Sequence, residues 1–330
     1  MMLVIEKKEI NYIYRNSNTK KNMQTVIITG GTGLVGKALT AHLTDKGYHV
    51  IVLTRQYPIK KNDNPNVDYA LWDVKAGTID VIAMQKADYI IHLAGAGVVD
   101  KKWTTAYMNE IKDSRTESSK LIIKTLQQHA HKIKAIVSAS AIGWYGKDAP
   151  AGKPFVETDL PASGFLGDTC MLWEQSIEPA EQLQIRLVKL RTGIVLSNEG
   201  GALAEFKKPI RFGIAGILAS GKQQVSWIHI DDMCRMYIYA MEGALSGAYN
   251  AVAPEPVNNK KLTLVLAQKM KGRFFIPVHV PAFVLKIMLG DRSIEVLKST
   301  TVSSEKILAA GFKFQFPTID PALQQLCNGM

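Results

Sequence analysis

From Thr25 onward, short apolar runs alternate with longer stretches in which apolar residues recur at helical spacing. Thr25–Thr29, His49–Thr54, Asp68–Leu71, Tyr89–Leu93 and Ala135–Ser138 are mostly β-branched or aliphatic and predict strands. Arg186–Leu190 and Ala248–Ala251 continue the series, and Leu34–Lys46, Thr105–Gln128 and Phe165–Glu181 predict intervening helices. Such alternation implies an α/β fold with a parallel sheet covered on both faces and a ligand crevice beyond the carboxyl ends of its strands. Trp227–Asp232 joins a further strand to a helix running through Met241, with Asp231 or Asp232 as its expected N-cap. Past Pro254-Glu255-Pro256, where each proline interrupts regular pairing, helical patterns occupy Leu262–Met270, Phe283–Leu289 and Ser303–Ala310, the last closed by Gly311. They predict a smaller α-rich lobe.

The most informative stretch is Val26–Gly36, VIITGGTGLVG, which runs from strand through three glycines at G-x-x-G-x-x-G spacing into a helix. In that setting Gly30 allows the tight turn, Gly33 lets the backbone approach a pyrophosphate, and Gly36 lets helix and strand pack closely. Thr32, Leu34 and Val35 complete the expected cofactor contacts at a helix N-terminus, where free N–H groups favour phosphate. Gly31–Lys37 also fits G-x-x-x-x-G-K, but Ala38 stands where a phosphate-binding P-loop needs a hydroxyl for Mg²⁺. The second strand ends in Thr54-Arg55. An NAD-selective site usually carries an acid there, whereas Arg55 faces a 2′-phosphate, so NADP(H) is the expected cofactor. Asp73 is placed either to accept from an adenine amine or to close a turn. Ala94 and Gly95, after the fourth strand, let the chain approach the cofactor, and His92 reads as a packed histidine.

Composition changes this picture little. The 330 residues are 47% hydrophobic with a net charge of +11, and the lysines are scattered without a basic, aromatic-studded stripe for nucleic acid. No uncharged apolar run is long enough to span a membrane; the nearest, Phe274–Gly290, holds His279, two prolines and Lys286 and predicts a buried helix with its approach. Three widely spaced cysteines, Cys170, Cys234 and Cys327, fit a reducing cytoplasm and exclude a cysteine-based zinc site. No metal ligand set is expected. Residues 1–22 look foreign to the strand–helix pattern that follows, and the expectation is either that the natural start is Met23 or that the tail is loosely attached. The expected partners are a small-molecule substrate, neither nucleic acid nor membrane, and a homodimer as the assembly to test.

Several co-linear motifs carry a resemblance: Thr29–Gly36 (TGGTGLVG), His92–Ala96 (HLAGA), Ser138–Gly146 (SASAIGWYG) and Trp227–Asp232 (WIHIDD). Together they resemble the extended or atypical short-chain dehydrogenases/reductases. Trp72-Asp73, Asp113–Arg115, Gly200–Leu203, Gly221–Asp232, Pro281–Gly290 and Ala310–Pro317 narrow the likeness to the NAD-dependent epimerase/dehydratase-like "epimerase family" proteins, which end in a small C-terminal domain of unknown function. The resemblance spans nearly all of Gln24–Leu326. It implies a Rossmann-type doubly wound sheet at 24–195 and 226–253, a substrate-covering lobe at 196–225 and 254–330, and a nicotinamide cofactor.

Family chemistry elsewhere uses Tyr-x-x-x-Lys on the helix after the fifth strand, with a Ser or Thr at that strand's end. Ser140 fits the latter position and is expected to polarise a substrate oxygen. Leu166 and Cys170 hold the other two places, and neither can replace a phenolate or an ammonium. Tyr145 is the nearest phenol by sequence and the candidate proton donor; Glu157 is a candidate base, and Cys170 reads as core. Lys207, Lys208 and Arg211 are candidates to meet an anionic substrate. The residues point to an NADP(H)-dependent oxidoreductase or epimerase for a small, sugar-like or anionic substrate, and alternatively to a non-catalytic NADP(H)-binding redox sensor.

Overall fold

A computed structural model describes residues 23–58, 63–148 and 152–328; the expectations about residues 1–22 lie outside them. The first half runs β1 (Thr25–Thr29), α1 (Leu34–Asp45), β2 (His49–Thr54), β3 (Val67–Asp73), β4 (Thr78–Ile79), α2 (Val81–Lys86) and β5 (Tyr89–His92). It continues through α3 (Thr105–Gln128), β6 (Ala135–Ala141), α4 (Phe165–Ile177), β7 (Arg186–Thr192) and β8 (Ile194–Leu196). The expected helix to Glu181 stops at Ile177, because Pro179 turns the chain into a 3₁₀ segment over Glu178–Leu183.

The remainder comprises α5 (Gly201–Arg211), β9 (Ile214–Leu218), β10 (Gln224–Val225), β11 (Trp227–His229), α6 (Ile230–Glu242), β12 (Gly247–Ala251) and β13 (Val257–Asn258). It closes with α7 (Asn259–Lys271), β14 (Ile276–Val280), α8 (Ala282–Leu289), α9 (Ser293–Leu297), α10 (Glu305–Ala309) and α11 (Ile319–Cys327). The N-cap of α6 is His229, whose Nδ1 accepts from the Asp231 N–H, and not an aspartate. Asp232 is instead fully buried and accepts from the Gln315 and Phe316 N–H groups, so its carboxylate pins the chain ahead of α11.

Eight strands form one sheet in the order β12-β7-β6-β5-β1-β2-β3-β4, parallel except for the short β4. Strand alternation explains its two cores. Val26 and Ile28 face α1 and α6 with Val50, Val52, Ile91 and Val188, while Ile27, Ile51, Ile90 and Ile136 face α2 and α3 on the other side. A third cluster joins Leu196, Leu203 and Trp227 to Leu262, Leu266 and Leu323 and forms the core of the α-rich lobe. Among the described residues no helix is long and apolar enough to cross a membrane.

The strand order reverses at β1, with β2 on one side and β5 on the other. At this switch point Thr29 Oγ1 accepts from the Leu93 and Ala94 N–H groups and lies 2.7 Å from His92 Nδ1. His92 Nε2 lies 3.0 Å from Ser119 Oγ, whose hydroxyl donates to the Arg115 carbonyl. The network therefore assigns an imidazole that accepts at Nδ1 and donates at Nε2, tying β1 through β5 to α3. His92 is the packed residue the sequence suggested, fully buried, and burial pushes its pKa down to about 3.

Two expectations test these contacts. A Cβ at Gly36 would lie 2.5 Å from the Gly31 Cα, where only backbone could yield. Gly36→Ala should cost about 1–3 kcal/mol by urea denaturation, and Gly33→Ala, on the exposed turn, less than about 1. His92 accepts a proton near its ordinary value of 6.5 once unfolded but only near about 3 when folded. Its contribution is therefore intact above about pH 6.5 and drains as pH falls. Between pH 7 and 5 the urea-derived stability should drop by about 2 kcal/mol more than in His92→Gln.

Candidate cofactor crevice

The crevice begins at Gly30. Its φ is +68°, and a Cβ there would lie 2.9 Å from the Leu93 carbonyl, so the β1 turn and the end of β5 touch backbone to backbone. Gly33 is the extended N-cap of α1 and makes no side-chain cap, and the first turn carries no acidic residue. The N–H groups of Leu34, Val35 and Gly36 thus point out of the helix without a protein acceptor among the described residues. Thr32 and Gly33 are exposed, Leu34 and Val35 half-buried. This is an anion cradle: free donors, a favourable dipole, and no side chain in the way.

Thr29 pairs with Leu53, which carries Arg55 two residues past the β1 end and beside the turn. Arg55 is exposed and has no ion-pair or hydrogen-bond partner among the described residues. Ala94 and Gly95 lie across the switch point from it. Asp73 Oδ1 accepts from the Lys75 and Ala76 N–H groups, so of its two sequence readings the turn is what the geometry displays. A cavity of about 450 Å³ opens against the first turn of α1, between Leu34, Lys37 and Ala38 and the Ser197–Gly201 connection. Gly201, at φ +69°, brings that connection onto Leu34: a Cβ on it would sit 3.2 Å from Leu34 Cδ2.

The two candidate catalytic hydroxyls, Ser140 and Tyr145, are both buried and hydrogen-bonded to protein groups. Ser140, at the end of β6, is buried and donates to Glu174 Oε1 at 2.7 Å. Glu174 in turn is held by Arg191, with Nε–Oε1 at 2.8 Å and Nη2–Oε2 at 3.1 Å. Tyr145 is 1% exposed, donates to Asn250 Oδ1 at 2.7 Å and accepts from Arg191 Nη1 at 3.0 Å. Burial pushes its phenol up to about 12 despite the neighbouring guanidinium. Both hydroxyl protons are engaged inside one buried polar network, Ser140 on Glu174 and Tyr145 on Asn250. Sequence reasoning missed the partner that claims Ser140: Glu174 lies two helical turns past Leu166, a spacing that puts both on one face of α4.

Other candidates are also engaged elsewhere. Glu157 Oε1 accepts from the Asn250 N–H. Lys207 is buried and donates to Asn198 and to the Leu326 carbonyl near the end of α11, tying α5 to that helix. Lys208 pairs with Glu205. The Cys170 thiol is raised to about 12 by burial, as a core cysteine should be.

A residue noticed in the sequence only as part of a shared block stands out in the structure. Arg115 on α3 donates from Nη1 to the Ala96 and Ile111 carbonyls, packs against Gly95, and stacks 4.9 Å from the Trp173 ring centre. Its charge acts on the Cys170 thiol. Among the described residues no carboxylate pairs with it, and its Nε and Nη2 have no hydrogen-bond acceptor.

Comparison with known proteins gives this geometry a family. The NAD dependent epimerase/dehydratase family matches residues 26–251, and a domain of unknown function, DUF1731, matches 280–326. Epimerase family protein SAR0825 of Staphylococcus aureus (strain MRSA252) is 34% identical over 307 residues, covering 93% of this chain and 100% of the relative. Epimerase family protein YfhF of Bacillus subtilis (strain 168) is 33% identical, covering 91% and 97%. A crystal structure of human epimerase family protein SDR39U1 (isoform 2) with NADPH superposes with a TM-score of 0.81 at 27% identity, covering 93% of this chain and 100% of that one. With its own sheet reversing at a glycine turn and two thirds of its length matched, the chain belongs to the NAD dependent epimerase/dehydratase family.

Proposed function

We propose that the protein is an NADP(H)-dependent oxidoreductase or epimerase of the short-chain dehydrogenase type, acting on a small, sugar-like or anionic substrate. The observation that carries this reading is an exposed Arg55, without an ion-pair or hydrogen-bond partner among the described residues, beside an uncapped helix N-terminus at the switch point of the sheet. The residues present fit a dinucleotide phosphate. The α1 N–H groups would take the pyrophosphate, Arg55 the 2′-phosphate, and the bare backbone at Gly30 and Gly33 leaves room for both. The human relative crystallised with NADPH supports this cofactor. A bound nicotinamide supplies hydride transfer to or from a substrate carbon.

The chain's own part is then positioning. Gly95 and Ala96 are held from beneath by Arg115, which stands beside Cys170, where family chemistry has a lysine. On this reading Arg115 restores from α3 the positive charge that α4 lost, and its free Nε and Nη2 face a cofactor hydroxyl or a substrate anion. The Glu174–Arg191 pair and the Ser140 and Tyr145 hydroxyls fix the floor of the crevice.

A second reading, an NADP(H)-binding redox sensor without turnover, is favoured by one observation. Among the described residues no phenol–ammonium couple lines the end of β6, since Leu166 and Cys170 hold those places. Sustained oxidation of NADPH with a panel of sugar aldehydes and oxo acids supports the enzyme. Tight binding with no turnover supports the sensor. Arg55→Ala should weaken NADPH binding about tenfold or more by calorimetry and leave NADH binding nearly unchanged, because the lost contact is charge-assisted. Equal losses for the two coenzymes would remove Arg55 from the 2′-phosphate site.

A further inference from the structure

Among the described residues, the β14–α8 part of the α-rich lobe and the end of α5 leave several large apolar side chains exposed. Phe274 is 87% exposed, Phe212 84%, Ile287 79%, Ile276 69%, Met288 66% and Phe283 65%. The sequence reading of Phe274–Gly290 as a buried helix with its approach is thereby corrected: of helix α8 only Leu285 is buried. Aromatic side chains present roughly 150–250 Å² each, so the three phenylalanines alone leave on the order of 450 Å² bare.

The edge of this surface is closed to strand pairing. The Ile276 N–H donates to the Gly213 carbonyl and the Val280 carbonyl accepts from the Ala219 N–H, so residues 276, 278 and 280 turn their backbone groups to β9. Pro277 and His279 therefore occupy the free edge, and Pro277 has no N–H to offer. What docks here docks by side chains.

Charge selects the occupant. Arg211, Arg273 and Lys286 are exposed around the apolar residues, with Lys271 half-buried beside them, and none has an ion-pair partner among the described residues. The stretch Val257–Gly290 contains no Asp or Glu at all. A second copy applied through the same face by a two-fold axis would set these cations against their own images. An anionic bilayer surface offers the complement: phosphates for the arginines and lysines, and an interfacial layer in which phenylalanine, isoleucine and methionine are at home. We propose that the β14–α8 face of the lobe docks reversibly on anionic phospholipid membranes, with Phe274, Phe283 and Ile287 inserted and Arg273 and Lys286 at the headgroups. The absence of a spanning helix among the described residues leaves such surface attachment open, since this mode needs only a face.

The test is co-sedimentation of the full-length protein with vesicles of phosphatidylcholine, with and without phosphatidylglycerol. The proposal expects binding to the anionic vesicles only, released as salt rises from about 0.1 to about 0.5 M. Phe283→Ser with Ile287→Ser, and separately Arg273→Gln with Lys286→Gln, should each lower the partition coefficient about tenfold or more while NADPH affinity stays unchanged. Equal binding to both vesicle types, or retained binding by either double variant, overturns it. So does failure to bind anionic vesicles together with a concentration-dependent dimer that Phe283→Ser with Ile287→Ser abolishes in sedimentation velocity, which would give the face to a second copy.

Discussion

The close approach of three backbone segments governs this structure: the turn at Gly30, the end of β5 at Leu93–Ala94, and the first turn of α1 at Gly36. Each comes so near the next that a side chain carbon would collide with main-chain atoms. Because backbone cannot move aside as a side chain can, the distance between β1 and α1 is fixed, and with it the direction of the helix axis. The free N–H groups of α1 therefore point over the switch point of the sheet. Thr29 and His92 lock the same junction with hydrogen bonds that leave the imidazole neutral and dry.

A second buried network lies a few strands away, at the carboxyl ends of β6 and β7. Arg191 on β7 joins Glu174 on α4 to Tyr145 after β6, and Tyr145 continues to Asn250 on β12. A guanidinium buried this deeply persists because nearly all its donors are used: Glu174 takes two, Tyr145 and the Glu157 carbonyl the rest. The ring of Trp144 covers its face at 3.6 Å. The network holds both the Ser140 and the Tyr145 hydroxyls in hydrogen bonds to protein groups. Rigidity at the strand ends and reactivity at the same atoms compete for the same protons.

The contrast with Arg115 is informative. Arg191 spends most of its donors on protein groups, two of them on a carboxylate, whereas Arg115 is anchored by two carbonyls through one nitrogen and has no carboxylate among the described residues to balance its charge. Arg115 lies half-buried beside Gly95, its charge answered only by those carbonyls and the Trp173 ring among the described residues. The same logic separates Lys207, closed inside the lobe on Asn198 and Leu326, from Arg273 and Lys286, which stand open on its surface.

Much of this was legible along the chain. The alternation of apolar strands with amphipathic helices determined the α/β layering, because period and burial are properties of local sequence. The glycine spacing pointed to the tight turn at Gly30 and the uncapped start of α1, because both depend on distances of a few residues. What only the tertiary structure decided involves partners remote in sequence. Ser140 meets Glu174, Tyr145 meets Asn250, Asp232 meets Phe316 and Lys207 meets Leu326. The apolar run at Phe274–Gly290 read as interior, yet the fold leaves it at the surface. Hydrophobicity states what a segment prefers to leave behind, namely water; whether protein or something else takes water's place depends on which elements the rest of the chain brings alongside.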